Sequence, residues 1–180
     1  MRLAPSLETD RLRLRLLGEA DLDRLVRLIG DWEVARWLAH VPYPYEREDG
    51  REFIRDMTES MAAGREVHYV IADKATDALM GGCGFLDQED GLELGYWLGR
   101  DYWGRGYVPE ALRSLISAGF GGLGLDVIAA RVLPDNLRSR RVLEQLGFQD
   151  VGLRAVNFPL RNLTMMVPQY ELKRSDWETA

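Results

Sequence analysis

The segment Leu92 to Ala111, LELGYWLGRDYWGRGYVPEA, constrains the chain more than any other. Its first residues alternate as a strand, Gly104-Arg105-Gly106 reads as a turn, and a helix follows at once. Pro109 and Glu110 sit in its first turn, where both residue types suit a helix start. Glycines let a backbone bend and approach a ligand, while the free N–H groups and dipole of the helix point at whatever lies in front. Such a turn is a cradle for phosphate, or else a glycine-rich connection with no ligand. It lacks the Gly-Lys-Ser/Thr ending of a P-loop and contains no GxGxxG, which weakens triphosphate and dinucleotide readings alike.

The flanking sequence predicts the elements around this turn. From Thr9 to Leu17, Leu12, Leu14 and Leu16 alternate with arginines as a half-buried strand. Leu22, Leu25, Val26 and Ile29 follow with helical spacing, Asp21 serving as N-cap. A second short helix spans Asp31 to His40 and ends at Val41-Pro-Tyr-Pro-Tyr45; a third spans about Glu48 to Ala63. Val67 to Ile71, Leu79 to Leu86 and Leu92 to Leu98 read as three consecutive antiparallel strands, with turns at Asp73 to Asp77 and Gln88 to Gly91. A helix (Pro109 to Phe120), a strand (Val127 to Leu133), a helix (Asn136 to Leu146) and two extended stretches (Phe148 to Ala155, Thr164 to Leu172) complete the chain. The order predicts a mixed sheet flanked by helices, and no repeat or linker divides residues 1–180, so one domain is expected.

Composition narrows the function. With 23 basic and 29 acidic residues and a net charge of −6, global attraction to nucleic acid or an anionic membrane is a poor guess, so an anionic ligand has to be held locally. No apolar run approaches the roughly 18 to 20 residues of a membrane span, and a cytoplasmic location is expected. The lone Cys83 excludes an internal disulfide and any multi-cysteine metal site, and the separated His40 and His68 argue against zinc, so no metal is expected.

Further motifs carry a family resemblance. Gly95-Tyr-Trp-Leu98, Tyr102-Trp-Gly-Arg-Gly-Tyr107 with Glu110-Ala111, Asn136-Leu-Arg-Ser139 and Leu143-Glu-Gln-Leu-Gly-Phe148 occur in the order seen in the GNAT superfamily of acetyl-CoA-dependent N-acetyltransferases. The opening Glu8-Thr-Asp-Arg-Leu-Arg-Leu14 and the ending Leu172 to Trp177 resemble its Rim-type branch, which includes ribosomal-protein N-terminal acetyltransferases. The resemblance implies an α/β fold with a mixed, mostly antiparallel sheet, splayed between the fourth and fifth strands. It places the coenzyme A pyrophosphate on the backbone amides of Gly104, Arg105, Gly106, Tyr107 and Val108. The pantetheine arm then lies on a bulged fourth strand at Trp97, Leu98 and Gly99, with Val132 to Pro134 across the gap. Asn136 matches the family's cofactor-binding Asn and also suits a helix N-cap; Ser139 matches the serine that Rim-type enzymes use toward the leaving thiolate. This chain departs from the common pattern at Trp103, where Gln or Arg is usual, and at Val108, where Gly or Ala is usual.

Direct transfer asks for three things: a donor for the oxyanion, a donor for the thiolate and a base for the amine. The backbone N–H of Leu98 or a neighbour is the candidate for the first and Ser139 for the second, with a small residue facing the neighbouring helix as the alternative reading of Ser139. Glu93 is the preferred base, with a solvated strand residue as the alternative reading. His68 is a further base candidate or an inward polar residue satisfied by a hydrogen bond, and Cys83 reads as a buried strand residue. An α-amine with pKa near 8 is about one tenth neutral at pH 7, a lysine amine only about one part in 10³, so an N-terminal acceptor needs less help. Tyr43, Tyr45 and Phe158 are expected to form an aromatic acceptor wall, Glu46, Glu48 and Asp49 to attract a cation or to form a solvated helix start, and Arg138, Arg140 and Arg141 to reach the 3′-phosphate or to form a solvated face. The partner is an amine, a peptide N-terminus or a small molecule such as an antibiotic or polyamine, taken by a monomer or homodimer. The competing class is a catalytically silent coenzyme A-binding sensor.

Overall fold

The computed structural model describes residues 3–88, 91–158, 160 and 162–179. Its strands are β1 (Ser6–Glu8), β2 (Leu12–Arg15), β3 (Val67–Asp73), β4 (Leu79–Gln88), β5 (Gly91–Leu98), β6 (Val127–Arg131), β7 (Gln149–Phe158) and β8 (Leu163–Lys173). They form one sheet in the order β1-β2-β3-β4-β5-β6-β8-β7. Every neighbouring pair is antiparallel except β5 and β6, which run parallel. The helices are α1 (Leu22–Ile29), α2 (Trp32–Ala35), α3 (Arg47–Ala62), α4 (Tyr107–Gly122), α5 (Leu137–Gln145) and α6 (Arg174–Glu178).

Alternation along the strands gives the sheet two apolar faces. Leu12, Leu14, Tyr69, Ile71, Phe85 and Leu94 meet α4 through Leu112, Leu115 and Ile116, all buried. Val70, Ala72 and Leu79 meet Leu28 of α1 on the opposite face, beside a second cluster of Leu25, Ile29 and Tyr45 backed by α3. The sheet is thus covered by α4 and α5 on one side and α1 to α3 on the other.

The predicted element order holds, with four local corrections. The strand expected from Thr9 to Leu17 shortens to β2, the second arm of a hairpin with β1: Leu12 N–H donates to Thr9 Oγ1 (3.0 Å) and Thr9 N–H to Leu12 O (3.0 Å), closing the turn between them, and Leu16 is exposed. The helix expected over Asp31 to His40 is only α2, because Trp37 and Leu38 close tighter i→i−3 bonds to Val34 and Ala35. Helix α6 is too short to show a period, and is held by Trp177 against Phe120 at 6.4 Å between centroids. The predicted turn at Gln88 to Gly91 lies partly outside the described residues.

The fourth correction concerns Asp21, which makes no side-chain cap of α1. Its carboxylate instead accepts from Arg15 Nη1 and Nη2, each at 2.8 Å, and from Gly18 N–H at 3.0 Å. Burial pushes this carboxyl up, but the bonds from Arg15 and Gly18 outweigh it and leave it below the usual aspartate value. A carboxylate lowered on folding contributes stability that is complete above its unfolded pKa and is lost as pH falls through the lowered folded one. Asp21→Asn should therefore cost about 2–3 kcal/mol at pH 7 and less in acid, a difference that chemical unfolding at pH 7 and pH 3 measures.

No helix among the described residues is long and apolar enough to cross a membrane.

Candidate active site

The site begins where β5 leaves β6. Strand β5 pairs with β4 from Gly91–Gln88 to Leu98–Gly81 without a register shift, but with β6 only at Glu93–Ala129. Beyond that position the parallel strands diverge. The expected bulge in β5 is absent from its ladder with β4, so the gap arises from divergence alone. The N–H of Gly99 donates to Met80 O at 2.8 Å. By strand alternation this turns the backbone groups of Trp97 and Gly99 toward β4 and those of Tyr96 and Leu98 into the gap. Of the three positions Trp97, Leu98 and Gly99, only Leu98 thus turns its N–H toward a ligand there. The Trp97 indole packs flat on β4, where a Cβ on Gly82 would lie 2.7 Å from Trp97 Nε1.

After β5 a short 3-10 turn, Arg100–Tyr102, leads to the glycine turn. Gly104 and Gly106 have φ of +74° and +77°, a region that L side chains rarely adopt. Among the described residues, the N–H groups of Gly104 to Val108 meet no protein acceptor. A set of unpaired amides at the head of the 16-residue α4 fits a pyrophosphate. The turn is pinned from outside by β2 and the hairpin before it. Glu110 Oε1 accepts from Thr9 Oγ1 (2.6 Å) and Arg11 N–H (2.9 Å), and Glu110 Oε2 from Arg11 Nε (2.7 Å). Arg11 Nη1 also donates to Arg105 O (3.0 Å), and its guanidinium lies 4.6 Å from the Tyr107 ring centroid. Sequence reasoning placed Thr9 and Arg11 in a strand motif and missed this role; their recurrence beside Glu110 in the resemblance was the available signal.

Trp103 closes the outer end of the gap. Its Nε1–H donates to Leu98 O at 2.7 Å, and Arg138 stacks over the ring at 3.8 Å from its centroid. Arg140 turns away, donating to Tyr170 Oη at 2.9 Å. Val108 lines the gap, as do Asn136 and Ser139. Asn136 Oδ1 accepts Ser139 N–H at 3.2 Å, the N-cap of α5, and so fixes Ser139 in place.

Ser139 has a partner that the sequence did not reveal. Tyr96 Oη lies 2.6 Å from Ser139 Oγ and donates to Ser139 O at 3.2 Å. Burial pushes the Tyr96 hydroxyl up to about 12, only partly offset by its hydrogen bond to Ser139. Forty-three residues separate the two, so only the β5–α5 packing brings them together.

A cavity of about 390 Å³ runs past this pair to the α1–α3 face of the sheet, where Glu93 and His68 line it. Glu93 Oε2 is held by Arg131, which donates from Nε at 2.5 Å and from Nη2. His68 Nε2 lies 2.9 Å from Glu66 Oε2. Burial pushes the imidazole below its ordinary value, and Glu66 offsets part of that. Complete burial raises the Cys83 thiol to about 12, which makes it an inert core residue. The expected aromatic wall is not assembled: Tyr45 is buried in the α1–α3 cluster, Tyr43 is exposed against Trp32, and only Phe158 lines the cavity. Glu46 and Asp49 cap α3, with Glu46 N–H donating to Asp49 Oδ2 at 2.7 Å, and Glu48 pairs with Arg51.

A strand splayed from its parallel neighbour, with an amide-rich turn at its end, defines an acyl-CoA-binding transferase fold. Residues 11–149 match the acetyltransferase (GNAT) domain model, and the chain belongs to the GNAT family of acetyl-CoA-dependent N-acetyltransferases. It is 38% identical over 151 residues to the uncharacterised N-acetyltransferase p20 of Bacillus licheniformis, a match covering 82% of this chain and 84% of the relative. The ribosomal-protein-S5-alanine acetyltransferase structure from Vibrio fischeri superposes with a TM-score of 0.78 at 20% identity, over 96% of this chain and 98% of that one. The microcin C7 self-immunity acetyltransferase MccE, in complex with acetyl-CoA and AMP, gives 0.79 at 20% identity over 92% and 93%. At these identities both structures speak for the fold.

Proposed function

We propose that this chain transfers acetyl directly to a single primary amine, an N-terminal α-amine or a small-molecule amine with an apolar body. The continuous cavity carries the reading: it joins the cofactor side, at Asn136 and Ser139, to the acceptor side, at His68 and Glu93, through the β5–β6 gap. Acetyl-CoA, when bound, supplies an activated thioester. The amides of Gly104 to Val108 hold its pyrophosphate, and Leu98 N–H and Tyr96, facing the gap, line the path of the pantetheine arm. Asn136, fixed as the α5 cap, flanks that path.

Leu98 N–H, turned into the gap, would be a preorganised donor for the negative charge that develops on the carbonyl oxygen. Ser139 would stand at the leaving sulfur; when the Tyr96 proton turns from Ser139 O to Ser139 Oγ, 2.6 Å away, the serine proton is free to point at the thiolate. A hydroxyl near 12 does not give its proton to a thiolate whose acid is near 8.5, so the pair stabilises charge by hydrogen bonding. The amine proton leaves on the acceptor wall.

Acceptor selection follows from the lining. Trp37, Leu38, Val41, Phe53 and Met57 line the α1–α3 side, and Glu93, the sole carboxylate among the described lining residues, already pairs with Arg131. Among the described lining residues a polyamine or aminoglycoside would find no free carboxylate for its further charges. Thiol release from acetyl-CoA across peptides, arylalkyl amines, polyamines and aminoglycosides tests this. Turnover is expected with monoamines of apolar body and with peptide α-amines. Tight coenzyme A binding with no amine-dependent release would overturn it in favour of a sensor; preference for polycations would overturn the acceptor class.

A further inference from the structure

We infer that His68, oriented by Glu66, takes the proton from the incoming amine; this rests on the reading of the function just given. His68 lies on β3 between Val67 and Tyr69, whose side chains enter the α4-side core, so its ring stands on the acceptor face. In register beside it are Gly84 of β4 and then Gly95 of β5. The Leu86 side chain leans over Gly95, and the cavity that His68, Leu86 and Glu93 line together leads from the imidazole toward the gap. Strands lie about 4.8 Å apart, so β3 is about 10 Å from β5. The ring therefore reaches an amine at the gap through bridging water in that cavity.

The hydrogen bonds settle which nitrogen acts. Glu66 Oε2 is an acceptor, so the proton on the ring sits on Nε2 and the lone pair on Nδ1. Nδ1 meets no protein partner among the described residues. Glu66 is itself anchored, its Oε1 accepting Asp87 N–H at 3.0 Å. This is the arrangement of a base with its orienting carboxylate. In the step, an N–H bond of the ammonium breaks, its electron pair stays on nitrogen, and a proton passes through the water to Nδ1. Glu66 balances the imidazolium, which then loses the proton to solvent. Burial, which favours the neutral ring, keeps Nδ1 available at neutral pH. Glu93 is less suited, since Arg131 occupies its Oε2.

Among the described residues, the other titratable groups around the cavity do not compete. Glu93 and Arg131 pair with each other, Tyr96 and Arg138 stand on the cofactor side, and Tyr69 and Cys83 lie in the core of the opposite sheet face. Helix α3 presents Phe53 and Met57, and His40 follows α2.

The test combines kinetics with a titration of the cofactor-free protein. His68→Gln is expected to lower kcat at pH 7 by about 10²-fold with an unchanged Kd for acetyl-CoA, the deficit shrinking as pH rises through the acceptor's own pKa. Glu66→Gln, which keeps a hydrogen-bonding group, is expected to lose less, with a deficit that likewise shrinks as pH rises. With His40 and His68 the two histidines of the chain, imidazole NMR should show one ring titrating below the ordinary value, moved lower still by Glu66→Gln. If His68→Gln disturbs folding, the wild-type titration and Glu66→Gln decide the matter. An active wild type matched by His68→Gln or Glu66→Gln in rate across pH, or a His68 ring that ignores Glu66→Gln, overturns the inference alone. A wild type that acetylates no amine overturns the functional reading beneath it.

Discussion

Tyr96→Phe lowers kcat by about 10²-fold while leaving the acetyl-CoA Kd within about twofold, and adding Ser139→Ala costs little more. A donor aimed at charge that develops only in the transition state changes kcat rather than ground-state binding, and removing one such donor costs about 10²–10³. The pair acts as a unit: Tyr96 Oη at 2.6 Å from Ser139 Oγ decides where the serine proton points. Effects of residues that act together do not add, so each single variant should come close to the double. Steady-state kinetics of the four proteins, with Kd from calorimetry, measure this. Full additivity would make Tyr96 and Ser139 separate contributors, and unchanged kcat in Ser139→Ala would remove that residue from the mechanism. Because neither hydroxyl ionises near neutrality, the profile of kcat against pH should show no falling limb below about pH 10 from this pair.

Which parts of this site were legible follows from the range over which each signal acts. The turn at Gly104 to Gly106 and the start of α4 are local: positive φ, the proline and the helix start are written in adjacent residues. The N-cap at Asn136 is equally local, and it carried Ser139 with it because the two lie three positions apart. Tyr96 was passed over because its meaning lies in α5, and a tyrosine at strand spacing looks like any half-buried core residue. Glu93 shows the other side of this. The sequence reads it as a base or a solvated strand residue and says nothing of its partner, because only the single β5–β6 register position brings β6, and with it Arg131, within reach. The aromatic wall of Tyr43, Tyr45 and Phe158 failed for a related reason. Proximity in sequence to a proline-broken loop says nothing about which ring turns inward, and Tyr45 is drawn under α3, where Gly50 lets α3 approach Leu22 and Val26 of α1. The hairpin at Thr9 was hidden because alternation is the same whether one strand continues or a second one starts.

That hairpin bears on the second large effect. Glu110→Ala should weaken acetyl-CoA binding by about 10-fold and destabilise the fold by about 1–2 kcal/mol, since it removes three charge-assisted bonds from Thr9 and Arg11, with Arg11 half exposed. The loss in binding is indirect. Arg11 also holds the Arg105 carbonyl, and with Glu110 gone its guanidinium is free to leave both that oxygen and the Tyr107 ring, so the amides of the turn are no longer fixed before the ligand arrives. Burial pushes the Glu110 carboxyl up, but Thr9 and Arg11 outweigh it and hold it below the usual glutamate value. Its contribution is therefore complete above the unfolded pKa and fades as pH falls through the lowered one, so the stability gap between wild type and Glu110→Ala should narrow in acid. Glu110→Gln should keep part of the binding, because a neutral acceptor still takes the Thr9 and Arg11 hydrogen bonds. Calorimetric titration with coenzyme A, alongside unfolding at two pH values, separates the two effects. If Glu110→Ala loses stability yet binds coenzyme A as wild type does, the cradle is set by its glycines alone and β2 is only a neighbour.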